Sequence, residues 1–353
     1  MRWAGEISAG ERARGVVKRL GLTLPLNAGL RLAESLTALA QTAEHHGYTD
    51  LWSSEVAGTD AFSPLAAIAG VTHDVRLGTG IASVFTRPPA LLAMSAATIQ
   101  ALSGGRFALG LGVSTPLIVE NWMGLRYRSA LARTRETVQA LRLALQGERV
   151  DLAGAELSAA GFRLSIEVDE PVPVYLAALG PRMVRLAGEI ADGIILFLVT
   201  PDGAADASGA VRAAAASSGR PDADTIEVVA RIPVALGGSE AERSNHLRRW
   251  MVPYALARGY AASLARQGFG DEIAVIARRW AEQDRDGAAR AVSNHMLDQL
   301  CILDPAACAD RIADYRRAGV TTPVLLPIPV RGTSTERLEQ LSRFVVHQAA
   351  RCL

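Results

Sequence analysis

The residues best suited to chemistry in this sequence combine bare backbone with charge. Ala177-Ala178-Leu179-Gly180-Pro181-Arg182 runs small residues into a proline, the residue favoured at the first turn of a helix. A strand entering a helix this way leaves free N–H groups at the positive end of the helix dipole, and Arg182 and Arg185 add charge beside them. The stretch reads as a seat for an anion such as phosphate, against the plainer alternative of a tight turn. Glu55 is the acid that stands out, close to Trp52. It reads either as a group acting at the ring of a ligand or as a loop carboxylate paired with an arginine. In Phe107-Ala108-Leu109-Gly110-Leu111-Gly112 two glycines thin the end of a short apolar run. They would let something flat approach the backbone, or they relieve crowding inside a sheet.

The sequence contains no H-E-x-x-H, no C-x-x-C and no cluster of carboxylates, so no metal site is expected. It also lacks G-x-S-x-G and the phosphate-binding P-loop. Cys301, Cys308 and Cys352 have no metal spacing and leave an odd thiol, which fits a reducing, cytoplasmic compartment. Met1 to Val17 mixes charge with small residues and lacks the apolar core of a signal peptide. The formal net charge is +1 and Lys18 is the sole lysine, so no basic block points to nucleic acid or an anionic membrane. No run approaches the roughly 20 apolar residues of a membrane span.

These groups need a scaffold, and the rhythm of the chain supplies one. Apolar runs at 18–24, 48–53, 74–83, 107–111, 173–178, 193–198, 226–236 and 322–326 read as strands. Segments between them, among them 30–46, 90–102, 129–146, 182–190, 204–217 and 306–318, read as helices. A helix–glycine–strand junction recurs at Gly47, Gly104-Gly105, Gly193 and Gly319. Strands alternating with helices in this way predict an α/β fold, a parallel sheet closed as a TIM-type (β/α)₈ barrel. An open doubly wound sheet would carry G-x-G-x-x-G after its first strand, and Pro25-Leu26-Asn27-Ala28-Gly29 does not. Residues 237–300 break the rhythm, hold Trp250 and Trp280 and exceed an ordinary connection. They predict a helical insertion or lid between strands 7 and 8 of a single barrel domain spanning 1–353. The site then falls at the strands' C-terminal ends, at Trp52–Glu55, Gly80–Thr86, Gly112–Thr115, Ala178–Arg182, Phe197 and Thr200.

Val75–Ser114 closely resembles the corresponding block of the bacterial luciferase-like family, most nearly its deazaflavin (coenzyme F420)-dependent oxidoreductases. Val174–Leu196 resembles that family's phosphate-binding segment, and a weaker similarity runs from Lys18 to Leu326 apart from parts of the insertion. The resemblance implies a TIM-type barrel that binds a flavin or deazaflavin, usually as a homodimer. By position it implies that Gly80-Ile81 forms a strand-three bulge, often with a cis peptide, behind the ring, with Ala82 and Ser83 continuing the wall. Gly112, Val113 and Ser114 would lie beside the ring and its polyol chain. Ala178, Leu179 and Gly180, leading into Pro181 and Arg182, would meet the phosphate. Glu55 falls where the family carries an acid.

Two departures bear on the substrate. Sugar-phosphate dehydrogenases of the family follow that acid with a histidine, where this chain has Val56, and carry a glutamate where it has Thr115. A sugar phosphate is therefore not expected, and proton delivery falls to Glu55 or to water held by Ser114 and Thr115. The function implied is hydride transfer between coenzyme F420 and a small organic carbonyl, imine, alcohol or activated alkene. Trp52, Phe85, Thr115 and Trp122 are expected to build the substrate pocket. Two alternatives stand beside this reading: a monooxygenase using reduced FMN and oxygen, and a paralogue that binds cofactor without catalysis.

Overall fold

The computed structural model describes residues 18–26 and 32–352. Met1–Val17 and the helix start expected at Leu30 lie outside the described residues. The frame is a ring of short strands: β1 (Gly21–Thr23), β2 (Asp50–Ser53), β3 (Arg76–Thr79), β4 (Phe107–Gly112), β5 (Val174–Ala177), β6 (Gly193–Phe197), β7 (Glu227–Leu236) and β8 (Thr322–Pro329). Each pairs in parallel with the next and β8 returns to β1, so the sheet closes into a (β/α)₈ barrel. Closure explains the apolar runs, because one face of each strand meets the interior and the other meets the outer helices. The third strand is shorter than its sequence suggests. It stops at Thr79, and a separate pair, Ala82–Ser83, joins the end of β4.

Inside the barrel, side chains stack in layers drawn from alternate strands. Trp52, Ala108, Ile195 and Val324 come from β2, β4, β6 and β8. Room for the Trp52 indole comes from glycines on the flanking strands: a Cβ at Gly21 would lie 3.3 Å from its Nε1, and one at Gly78 2.6 Å from its ring. At the strands' N-terminal ends Arg76 donates to Asp50 (2.5 Å), to both oxygens of Glu227 (2.9 Å) and to the Tyr175 hydroxyl (2.7 Å). Arg19 makes a second pair of bonds to Asp50. Burial, the largest influence, would raise the Asp50 carboxyl, but Arg76 and Arg19 outweigh it and hold the group below its ordinary value.

Between β7 and β8 the chain forms the helices Glu240–Leu256, Arg258–Leu264, Gly270–Ala281, Arg285–Arg290 and Asn294–Leu300, with a π-helical turn at Ala265–Phe269. They gather an apolar cluster of their own around Leu247, Met251, Leu264, Phe269 and Leu297. The sequence reading missed two elements. One is the π-helical turn Leu117–Trp122 after β4; the other is the helix Ser334–Cys352, which buries Leu341, Phe344 and Val345. Among the described residues no helix is long and apolar enough to cross a membrane.

Candidate active site

The strands' C-terminal ends meet two side chains sent down from the turn Ala265–Phe269. Arg266 donates to the Leu179 carbonyl. Gln267 accepts from Thr200 N (2.7 Å) and donates to the Leu198 carbonyl (3.2 Å). The loops after β5 and β6 are thus fastened to the insertion.

The turn that the sequence marks for an anion lies at this contact. Gly180 caps the helix Pro181–Ile190 in an extended conformation, and no side chain occupies the cap. A Cβ at Gly180 would meet only the Arg266 Nη2, 3.6 Å away. Arg182 is exposed, Ala178 is buried and Leu179 is half-buried. Arg185 turns elsewhere, pairing with Glu189 at 3.3 Å, so the second cation at the turn is Arg266. Sequence spacing could not reveal it, because it arrives from the insertion.

The Gly80–Ile81 peptide bond is cis, as the resemblance implies. Ile81 keeps accessible surface, whereas Gly80, Ala82 and Ser83 are buried, and the Ser83 hydroxyl accepts from Phe85 N (3.2 Å). The neighbouring glycines answer to crowding rather than to an open approach. A Cβ at Gly110 would lie 1.9 Å from the Thr79 carbonyl oxygen, and one at Gly112 would lie 2.8 Å from Ile81 Cγ1. Val113 and Ser114 are half-buried at the rim. Ser114 (φ +57°) and Leu198 (φ +51°), directly beyond β4 and β6, hold left-handed backbones. Such a conformation costs a non-glycine residue roughly 1–2 kcal/mol and concentrates at functional sites.

The four residues expected to wall a substrate pocket differ in the surface they offer a ligand. Trp52 is fully enclosed in the barrel, where β1 and β3 leave room for it, so it offers no surface to a ligand. Phe85 is 9% exposed and stacks on Tyr127, centroids 4.8 Å apart. Thr115 opens the turn Leu117–Trp122 by accepting from Val119 N (3.0 Å), and Trp122 is 50% exposed. Glu55 is half-buried, and its two carboxylate oxygens accept from Arg87 Nη2 (2.6 Å) and Nε (3.0 Å). The acid singled out by sequence is thus one half of a bidentate ion pair, the second of the two readings offered for it.

The mouth has a further wall that sequence reasoning did not assemble. Phe197 at the end of β6 lies edge-on to Trp250 (6.1 Å), Tyr254 (5.4 Å) and Tyr260 (6.1 Å), all three from the insertion. The Arg231 guanidinium sits over the Phe197 ring at 5.2 Å and donates to the Gly80 carbonyl. Burial lowers the Arg231 pKa and raises those of Tyr254 and Tyr260. The available signal was an arginine inside the apolar run Val228–Leu236, on the same strand face as Glu227 and Val229.

Residues 23–322 match the family described as luciferase-like monooxygenase. A chain of Mycobacterium tuberculosis that carries the provisional name coenzyme F420-dependent oxidoreductase is 29% identical over 342 residues, covering 90% of this chain and 96% of that one. The 5,10-methylenetetrahydromethanopterin reductase of Methanolobus tindarius is 29% identical over 286 residues, covering 80% of this chain and 86% of its own. Among solved structures, the coenzyme F420-dependent tetrahydromethanopterin reductase of Methanopyrus kandleri superposes with a TM-score of 0.74 at 22% identity, covering 94% of this chain and 99% of that one.

Proposed function

The chain belongs to the luciferase-like monooxygenase family and is an oxidoreductase, and on that premise we propose that it transfers a hydride between coenzyme F420 and a small organic substrate. The substrate class is a carbonyl, imine, alcohol or activated alkene. The observation that carries this reading is the uncapped turn Ala178-Leu179-Gly180 ahead of Pro181, with Arg182 and Arg266 beside it. Open space at Gly180 with two cations nearby fits the phosphate end of such a cofactor. Ile81, Val113 and Ser114 keep accessible surface at the rim and would back its ring. When bound, the deazaflavin supplies the hydride.

The chain's own residues then have three tasks: to hold the cofactor, to exclude water and to place the substrate. Both Glu55 oxygens are engaged by Arg87. Proton delivery therefore falls to water at the Ser114–Thr115 rim or to a phenol of the aromatic wall. The family's description as monooxygenases favours a second reading, in which the same mouth takes reduced FMN and oxygen. Titrating the protein separately with F420 and with FMN distinguishes the two, and selective binding of the deazaflavin is expected. Reduced F420, supplied anaerobically with a panel of acceptors, should then be reoxidised. Turnover seen only with reduced FMN and oxygen would replace this reading by the second.

We also propose that the protein acts as a homodimer. Leu91, Met94 and Leu102 on the outer helix Pro89–Ser103 are 41%, 44% and 54% exposed, an apolar stripe that a second copy would cover. Light scattering that returns a single 37.3 kDa chain across micromolar concentrations would remove this proposal.

A further inference from the structure

We propose that the cluster of Arg231, Phe197, Tyr254 and Tyr260 at the barrel mouth is a seat for an organic carboxylate, with Arg231 as its counter-charge and the aromatic rings as contacts for the apolar body of the ligand. In calling that ligand the substrate, the proposal rests on the oxidoreductase reading above; as a binding site it stands without it.

The starting point is an accounting of donors. A guanidinium has five N–H groups. For Arg231, Nη1 donates to the Gly80 carbonyl and Nε reaches Thr23 Oγ1 at 3.4 Å. Nη2 has no acceptor among the described residues, and no carboxylate of the described residues lies within ion-pair distance. The hydroxyls of Tyr254 and Tyr260 likewise have no hydrogen-bond partner among the described residues. Their rings are 5.2 Å apart, and each lies edge-on to the Phe197 ring that carries the guanidinium. One cation and two phenol rings therefore gather around Phe197 at the barrel mouth, with no acceptor for the Arg231 Nη2 or either hydroxyl among the described residues.

Two other enclosed arginines, Arg76 and Arg106, are answered within the described residues. Arg76 has Asp50, Glu227 and the Tyr175 hydroxyl. Arg106 has the carbonyls of Ala69, Thr72, Val75 and Ser103. Arg231 keeps accessible surface, and its unpartnered Nη2 is not buried. An acceptor with two oxygens and one negative charge satisfies this set: a carboxylate can take the guanidinium on one side and phenolic O–H groups on the other. Trp250, which touches both Phe197 and Tyr254 (6.1 and 5.0 Å), completes an apolar wall suited to a planar or branched hydrocarbon body. Because Trp250, Tyr254 and Tyr260 all belong to the insertion, the insertion sets which body fits.

The test uses the full-length protein without cofactor, titrated with benzoate and with its neutral isostere benzamide. Binding is read by calorimetry and by the fluorescence of Trp250. Benzoate is expected to bind saturably and at least tenfold more tightly than benzamide. Arg231→Gln should remove that preference, and Tyr254→Phe and Tyr260→Phe, which delete a single oxygen each, should weaken benzoate about threefold apiece. Gly180→Val should leave benzoate binding unchanged, since the carboxylate is not at the phosphate turn. Equal affinity for the two probes, no binding of benzoate, indifference to Arg231→Gln and both phenylalanine variants, or loss on Gly180→Val would each overturn the proposal. Failure of the cofactor reading looks different: F420 would not bind, while the benzoate preference and its dependence on Arg231 would remain.

Discussion

Arg76 and Arg231 both project into the barrel from odd-numbered strands, one near the floor and one at the mouth, and their surroundings are opposite. Around Arg76 two carboxylates and a phenol stand within 3 Å of its nitrogens, and Asp50 is shared with Arg19. Around Arg231 the described residues supply a backbone carbonyl, a distant hydroxyl and aromatic faces, and no anion. Taking a charge out of water is costly unless it is paired. The floor meets that cost within the chain, and the mouth leaves it open to whatever binds there. A local rule broken at the functional end and kept at the structural end is the pattern expected of a fold that gives up some stability for a site.

The largest effect should come from the floor. Asp50→Ala strands Arg76 and Arg19 without their shared anion and should lower the free energy of unfolding by about 3–5 kcal/mol, measured by denaturant titration. Arg231→Met removes a cation that has no anionic partner among the described residues, and should stay within about 1 kcal/mol of the native protein. Equal losses in the two variants would erase the distinction between floor and mouth. The same pair makes a pH prediction. Asp50 and Glu227 have folded-state pKa values below their ordinary ones, because Arg76 outweighs the raising effect of burial. Their stabilisation is therefore present above the unfolded carboxylate range, about pH 4, and is lost as pH falls through the lower folded values. Asp50→Ala should flatten that acid limb, while Arg231→Met should leave it unchanged.

A smaller effect is expected at the phosphate turn. Gly180→Val places a branched side chain where a Cβ now meets only Arg266, and should weaken F420 at least tenfold, about 1.4 kcal/mol. Undiminished affinity in the folded variant would move the phosphate elsewhere. Arg266→Gln should weaken F420 more mildly, because the backbone donors at the helix start remain.

The barrel was far more legible in the sequence than the ion pairs of its floor or the aromatic wall of its mouth, and the reason is physical. Strand positions follow from local features: a buried apolar run, and a glycine such as Gly47 (φ +88°) that ends the preceding helix. The phosphate turn is local too, since Gly180 and Pro181 are neighbours. Trp52 misled because its fate depends on Gly21 and Gly78, two residues on other strands that open space for it. Arg231, Tyr254 and Tyr260 come from a strand and a separate helical insertion, and no spacing rule joins them. The helix Ser334–Cys352 was missed although its signal is local, since Leu341, Phe344, Val345 and Gln348 recur at helical spacing and are buried.

The smallest expected effect concerns Glu55, the residue on which a local reading and a tertiary reading disagree. Its position at the end of β2 suggests an acid at the chemistry. Its surroundings suggest a brace: Arg87 takes both oxygens, also approaches Asp60 at 3.6 Å, and lies over the Phe62 ring at 4.9 Å. Glu55→Gln keeps the shape and one acceptor oxygen, while Asp60 and Phe62 still hold the guanidinium. A partly exposed ion pair of this kind contributes up to about 1 kcal/mol, so unfolding should shift by no more than that. Turnover of reduced F420 with its best acceptor should fall less than tenfold, and F420 affinity should not change. A proton donor removed from the reaction would instead cost about 10²–10⁴-fold in rate. A loss of that size in a variant that folds and binds F420 normally would return Glu55 to the chemistry. It would also show that the mouth can hold a carboxylate in an ion pair, as the floor does, and still use it in the reaction.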